Sequence, residues 1–482
     1  MKIGLLIAVI IYFIVSISIV SLIIHRRERA MNQERDFVNA GRSLGPILAG
    51  CSMALMFLGG ATIFGLCENT WFMGTPALWF GTAMVALITV ICMITAPWFR
   101  RVGVSTVTDI FERLFDKRGK VIVGAVTCIL QVGILSLETQ SVAVTINLLT
   151  GWPYFLGAVI GGIIGILYVI LAGMKEIAWM NIINAIVMYA AVIIAVVALG
   201  RIMVGGWDGV AQWYAAHPEA GNVSLFTDLS YIWTYFIPVA IAVISFHSIS
   251  QAGLSSPLSC KSTKSLKKAL IVAVPINGLF GVFTLCMGLA AKVHTDIDIA
   301  FLATPQLIVQ MLPNWIIGLL AAGFLGALLS TFSLLDLGAS TLITKDIIFM
   351  GKTDVTEKQQ TKIIRLFIII FGGVAVCVST FQPAVISAIN WIFSWGAPLF
   401  VMIVIGLFWK RVKAAMWATF IIAWVVNCLW TMTPLPNAVG LPNLSNVYIT
   451  LLVSIVVGVI VTAAGKGEIG LFKGELKNVS VD

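Results

Sequence analysis

The residues able to do chemistry in this sequence lie inside long apolar runs. Between 313 and 344, Ala327, Ser330 and Thr331 stand at i, i+3 and i+4, so they share one face of a helix. Two hydroxyls beside neutral backbone carbonyls suit a hard, weakly bound cation such as Na+, which takes oxygen ligands. The plainer alternative is that both hydroxyls bond back to carbonyls of their own helix. Ser333 and Asp336 follow on the same run. Glu138, with Thr139 and Gln140, lies inside the run 119–149, where a carboxylate must pair, take a proton or face a cationic ligand. His247 follows Phe246 in the run 229–254; a lone histidine there reads as a hydrogen-bonded packing residue sooner than as a proton relay. Glu68 falls where a run reaches the surface and reads as solvated. Phe57 and the pair Trp391 and Trp395 are candidates for a cavity wall, whereas Trp71 and Trp79 fit the aromatic belt of a membrane interface.

Such residues need long apolar elements to hold them, and the composition supplies these. Of 482 residues, 60% are hydrophobic and only 11% charged, with a mean hydropathy of +1.03. A soluble domain of this size needs far more charged surface. The spacing predicts thirteen spans near 3–24, 42–66, 74–98, 119–149, 153–172, 177–199, 229–254, 268–292, 313–344, 362–384, 385–409, 413–432 and 447–465. Each is long enough to cross roughly 30 Å of hydrocarbon. The first run has its basic flank (Arg26, Arg27 and Arg29) after the apolar stretch and no small-residue cleavage site. It reads as a membrane anchor with an outside N-terminus, not as a signal peptide. Alternate loops hold 26 of the 30 lysines and arginines; three lie in the other loops and at the N-terminus, and Arg365 lies in a span. This asymmetry places the C-terminus in the cytoplasm of a multi-pass cell-membrane protein. It also explains the net charge of +9 without any nucleic-acid partner.

An extra N-terminal helix and cytoplasmic loop (1–41) precede a five-helix repeat (42–199), an external loop (200–228) and a second five-helix repeat (229–409). Two further helices and a cytoplasmic tail (410–482) complete the chain. Inverted repeats of this kind often break their first helices at the substrate site. Gly59-Gly60 in the middle of 42–66, and Pro238 with the polar stretch from Ser245 to Gln251 in 229–254, mark the corresponding positions. No Walker motif is present, which argues against an ATP-driven pump, and no HExxH or GxSxG motif supports an enzyme. The eight cysteines are scattered and read as small packing residues.

Four segments resemble the sodium:solute symporters, the family of sugar, proline, sialic acid and choline carriers. Phe37 to Pro46 (FVNAGRSLGP) is similar to the family's entry to its second helix. Gly173 to Asn181 (GMKEIAWMN) resembles the segment before its sixth helix. Ala327 to Ser333 (ALLSTFS) resembles its ninth-helix sodium motif, and Thr344-Lys345-Asp346 the cytoplasmic end of that helix. The resemblance implies an all-α, LeuT-type 5+5 inverted repeat with about thirteen transmembrane helices. It implies Na+-coupled import of a small organic solute by alternating access. It further implies one Na+ between the second and ninth helices, on the carbonyls of Leu55, Leu58 and Ala327 and the hydroxyls of Ser330 and Thr331.

Departures from the family pattern narrow the expectation. The family's aspartate is Asn181 here, its following glutamine is Asn184, and position 334 is Leu where a second sodium site uses a serine. One Na+ per cycle follows, with Asn181, Ser333 and Asp336 as coupling candidates. The arginine that holds a carboxylate in sialic acid carriers aligns with Ile134, and the polar pair of sugar carriers aligns with Ala61 and Thr62. An amine-bearing or zwitterionic solute fits better, within a candidate set of Phe57, Gly60, Ala61, Thr62, Glu138, Phe246, His247 and Trp391. Two other readings share the sequence: a proton-coupled carrier of the same fold, and a ligand-sensing transceptor. The expected partners are the solute and the lipid bilayer, with the protein a monomer or weak homo-oligomer.

Overall fold

In hydrocarbon, every backbone N–H and C=O must find its partner within the protein, and a helix does this along a single segment. The apolar runs accordingly fold as helices. The protein's structure, a computed structural model, describes residues 3–30, 36–104, 106–226, 228–297, 299–352, 355–381 and 385–479, and no side chains for 27–30 or 385–389. Arg27 and Arg29 of the first basic flank, and Arg35, thus lie outside the described side chains. Eleven helices are long and apolar enough to span: α1 (Ile3–Arg26), α3 (Thr75–Val102), α4 (Lys117–Thr150), α5 (Tyr154–Leu171), α6 (Met174–Ile202), α8 (Thr263–His294), α9 (Asn314–Ile348), α10 (Glu357–Ser379), α11 (Asn390–Phe408), α12 (Lys413–Met432) and α13 (Asn446–Ala464). Two bent pairs, each counted as one span, would bring the number among the described residues to thirteen: α2 (Pro46–Met56 with Ala61–Met73, bent by 59°) and α7 (Ile232–His247 with Gln251–Leu258, bent by 67°).

Local chemistry sets the helix ends. Asp116 caps α4 by accepting from the Gly119 amide at 2.7 Å. Ser262 caps α8 through Ser265, and Thr356 and Gln359 form a reciprocal capping box at the start of α10. The bend in α7 lies at Ser248–Ser250, ten residues beyond Pro238. Pro238 stands in the first turn of the straight segment Ile237–His247, after a π-turn at Ile232–Phe236, where a missing N–H costs little. The bend in α2 begins at Phe57, ahead of the Gly59-Gly60 pair. Three short helices, Asp109–Leu114, Gly206–Ala216 and Ala300–Met311, occupy stretches that the apolar runs leave as loops.

α9 is the hub: 89% of its apolar window is buried, against 22% for α1 and α10 on the rim. It packs on α4 and α6, while α2 packs on α8 and α6. α2 begins where α7 ends, because the Leu44 amide donates to the Ser259 carbonyl and the Lys261 amide to the Leu44 carbonyl. The two broken helices therefore run in opposite directions, each opening a set of five. The same end is knit together by Arg100 on the Cys260 carbonyl and by the Val107 amide on Gln251 Oε1. There Lys120 pairs with Asp109 at 2.5 Å and Glu112 at 3.1 Å, and lies 3.6 Å from Asp346. Thr106 and Thr108 also donate to Asp346.

Candidate functional site

A broken helix exposes backbone groups that a continuous one would satisfy internally, and the surroundings of the α2 break meet most of them from other elements. The Asn277 amide of α8 donates to the Ala54 carbonyl at 3.2 Å. The Thr62 hydroxyl turns back to the Phe57 carbonyl at 3.0 Å. The Gly60 amide, which opens the second half of α2, donates to Glu138 Oε2 at 2.8 Å. Glycine leaves room here: a Cβ at Gly59 would lie 2.3 Å from Glu138 Oε1 and displace that carboxylate, and one at Gly60 would lie 1.9 Å from Ser141 Oγ. The absence of these two side chains lets α4 approach the break closely enough for its carboxylate to reach the backbone. Glu138, 4% exposed, thus sits at the positive end of a half-helix. Ala61 follows, partly exposed.

One turn earlier in α2, Thr331 of α9 meets the backbone of Leu55, the broken-helix residue expected beside it. The Thr331 hydroxyl of α9 donates to the Leu55 carbonyl at 3.0 Å, with the Met56 and Ala327 carbonyl oxygens at 3.2 and 3.4 Å. The back-bond to Ala327 exists, yet the nearer acceptor is on the other helix. Ser330 Oγ, on the same face, is fully buried and has no partner. Asn181 of α6 donates to Ser52 Oγ at 3.2 Å, and its own Oδ1 is buried without a partner. Leu58 lies within the break, its amide on the Leu55 carbonyl at 3.1 Å. Neutral oxygens of Leu55, Met56, Ala327 and Thr331 meet between α2 and α9, and the adjacent Ser330 hydroxyl is orphaned, a donor set whose chemistry fits Na+.

Ser333 and Asp336 lie apart from this group. The Ser333 hydroxyl bonds back to the Ser330 carbonyl at 2.8 Å. Asp336 is buried with Oδ1 3.4 Å from the Ser340 hydroxyl, and its Oδ2 faces Gly372 of α10. Five residues along a helix turn a side chain by about 140°, so Asp336 points away from the α2 contact made by Thr331.

His247 ends the first half of α7 and is enclosed by rings. Its imidazole packs edge-on against Phe57 at 5.3 Å, Phe246 at 5.1 Å and Phe393 of α11 at 4.6 Å between centroids. His247 Nδ1 has no partner. Phe57 and His247 bring the two breaks face to face. Trp391 packs against Trp395 at 5.7 Å, and Trp395 in turn packs on Trp424 of α12. The α11 residue that reaches the breaks is Phe393, which the sequence reading passed over. Gln131, Ser141, Asn277 and Ser52 were also missed; Gln131, Asn277 and Ser52 are isolated polar residues in apolar stretches, and Ser141 ends the polar stretch that begins at Glu138.

The fold has parallels in known proteins. A substrate-bound, outward-open Na+-coupled sialic acid symporter superposes with a TM-score of 0.80 at 17% identity, covering 96% of this chain and 98% of that one. This likeness establishes the LeuT-type architecture. YidK, an uncharacterized symporter of Escherichia coli (strain K12), is 25% identical over 413 residues, spanning 80% of this chain and 72% of that protein. The sodium/sialic acid symporter NanT of Aliivibrio fischeri is 20% identical over 425 residues, spanning 84% and 83%. The model of the sodium:solute symporter family matches residues 37–421, and the chain belongs to that family as a membrane transporter, not an enzyme.

Proposed function

We propose that the protein is a Na+-coupled symporter that imports a small organic solute by alternating access, with its C-terminus in the cytoplasm. The observation that carries the Na+ assignment is the meeting of Thr331 Oγ1 with the Leu55 carbonyl beside the unpartnered Ser330 hydroxyl. The carbonyls of Leu55, Leu58 and Ala327 and the two hydroxyls would hold the ion. An ion shared by α2 and α9 favours whichever arrangement of the two helices keeps its ligands together. Its binding therefore shifts the population toward the state that admits solute. One ion per cycle fits Asn181, which is neutral and already donates to Ser52. The solute is an amine-bearing or zwitterionic molecule bound between the breaks. Glu138 supports this by placing a buried carboxyl group there, and Phe57 by offering a ring face for a cation.

The experiment is a thermal-shift screen of amines, amino acids, sugars and carboxylates on the purified chain, each in NaCl and in KCl at one pH. Amines that stabilise in Na+ and not in K+ are expected. Stabilisation by solutes that is indifferent to Na+ and instead follows pH would replace Na+ with a proton as the coupling ion.

A further inference from the structure

α4 carries Gln131, Ile134 and Glu138 on one face, at i, i+3 and i+7. The first and last are separated by about 10.5 Å of helix rise. This stripe faces both breaks, and its two polar ends are treated differently. Glu138 is engaged by the Gly60 amide at the α2 break. Gln131 is fully enclosed, at 0% exposure, yet neither its Oε1 nor its Nε2 has a partner. It lies against the α7 break: the Cβ that Gly338 lacks would fall 2.7 Å from Gln131 Oε1 and 3.1 Å from the Ala252 amide nitrogen. That amide belongs to the first turn of Gln251–Leu258, where N–H groups have no partner within the helix. The cap, Ser250 Oγ, accepts from Gly253.

Half-helix starts attract electron-rich groups, and in carriers of this architecture they face anionic parts of the substrate. At α2 the protein's own carboxylate already occupies that place. The remaining half-helix start is at α7, where the Gln131 carboxamide, with its oxygen beside the Ala252 amide and its Nε2–H2 donors unpartnered, borders the backbone amides. We propose that Gln131 and the first amides of Gln251–Leu258 receive an oxygen acceptor on the solute, at the end opposite its amine. The substrate class is then an amine carrying a distal hydroxyl or carboxylate, with its hydrocarbon middle against Ile134. This rests on the reading of the two breaks as the solute site.

The test uses the full chain in detergent and three probes of equal carbon length: butylamine, 4-aminobutan-1-ol and 4-aminobutanoate. Thermal stabilisation is titrated with each in NaCl, for the wild type, Gln131→Leu and Gln131→Glu. In the wild type both oxygen-bearing probes are expected to bind about tenfold tighter than butylamine, the effect of one satisfied buried hydrogen bond. Gln131→Leu should erase that difference while leaving the Na+-induced shift without solute unchanged. Gln131→Glu should keep 4-aminobutan-1-ol and reject 4-aminobutanoate, an outcome that mere helix packing by Gln131 would not produce. Equal binding of the three probes, no stabilisation by any of them, or a difference that survives Gln131→Leu overturns the proposal. Failure of the Na+ reading is separate: it would appear as a wild type with no Na+ shift before any solute is added.

Discussion

The two broken helices differ in how far the protein satisfies its own backbone. At α2, Asn277, Thr62, Glu138 and Thr331 take up the Ala54 and Phe57 carbonyls, the Gly60 amide and the Leu55 carbonyl. At α7, the Ser248 hydroxyl turns back to Ile244 and Ser250 caps Gly253, but His247 Nδ1 and the whole Gln131 carboxamide stay unpaired. A buried polar group without a partner is costly, so such groups persist where something else meets them. On the proposed reading the α2 break is a frame that holds its oxygens for an ion, with the Ser330 hydroxyl still unpaired among them. On the same reading the α7 break keeps hydrogen-bonding capacity, in Gln131 and His247, for the proposed solute.

Substitutions can break this contrast. The largest effect on ion coupling is expected from Thr331→Ala, which removes the hydroxyl joining the two helices. Losing one ligand to a charge costs about 1.5–3 kcal/mol, or about 10- to 150-fold in apparent Na+ affinity, read from Na+-dependent uptake into proteoliposomes. Next comes Gly60→Ala, whose methyl would strike Ser141 Oγ at 1.9 Å. Overpacking of this kind costs about 1–3 kcal/mol and lowers the melting temperature; adding Ser141→Ala should recover part of the loss. Glu138→Gln keeps an acceptor for the Gly60 amide and removes the charge. A stability change within about 1 kcal/mol is expected, with weaker amine binding and an unchanged Na+ response. The smallest effect belongs to Asp336→Asn. Because Asp336 faces α10, its replacement should leave the Na+ and solute dependences as they are, and a lost Na+ response would place Asp336 in the coupling path.

The spans were legible because apolar length alone decides them: α5, expected at 153–172, is Tyr154–Leu171, and α12 matches 413–432 at both ends. The shared face of Ala327, Ser330 and Thr331 was legible for a similar reason, since it depends only on helix periodicity. What that face meets was not, because Thr331 and Leu55 are 276 residues apart. Glu138 shows the limit most clearly. Its burial followed from its position in an apolar run, but its bond to Gly60 depends on two missing side chains in another helix. Trp391 drew attention over Phe393 because tryptophan is the more conspicuous residue, whereas the rotation of α11 decides which ring reaches His247. The short helix Ala300–Met311 escaped for want of length.

The most direct test of the Na+ site uses Ser330, whose hydroxyl has no partner and so contributes little to the fold without an ion. Melting temperature is followed as NaCl replaces KCl at constant ionic strength, for the wild type and Ser330→Ala. The expected result is equal stability in KCl, a rise with Na+ in the wild type, and a rise in Ser330→Ala only at substantially higher Na+. Coincident Na+ titrations of the two proteins, or a wild type that does not distinguish Na+ from K+, would contradict the assignment.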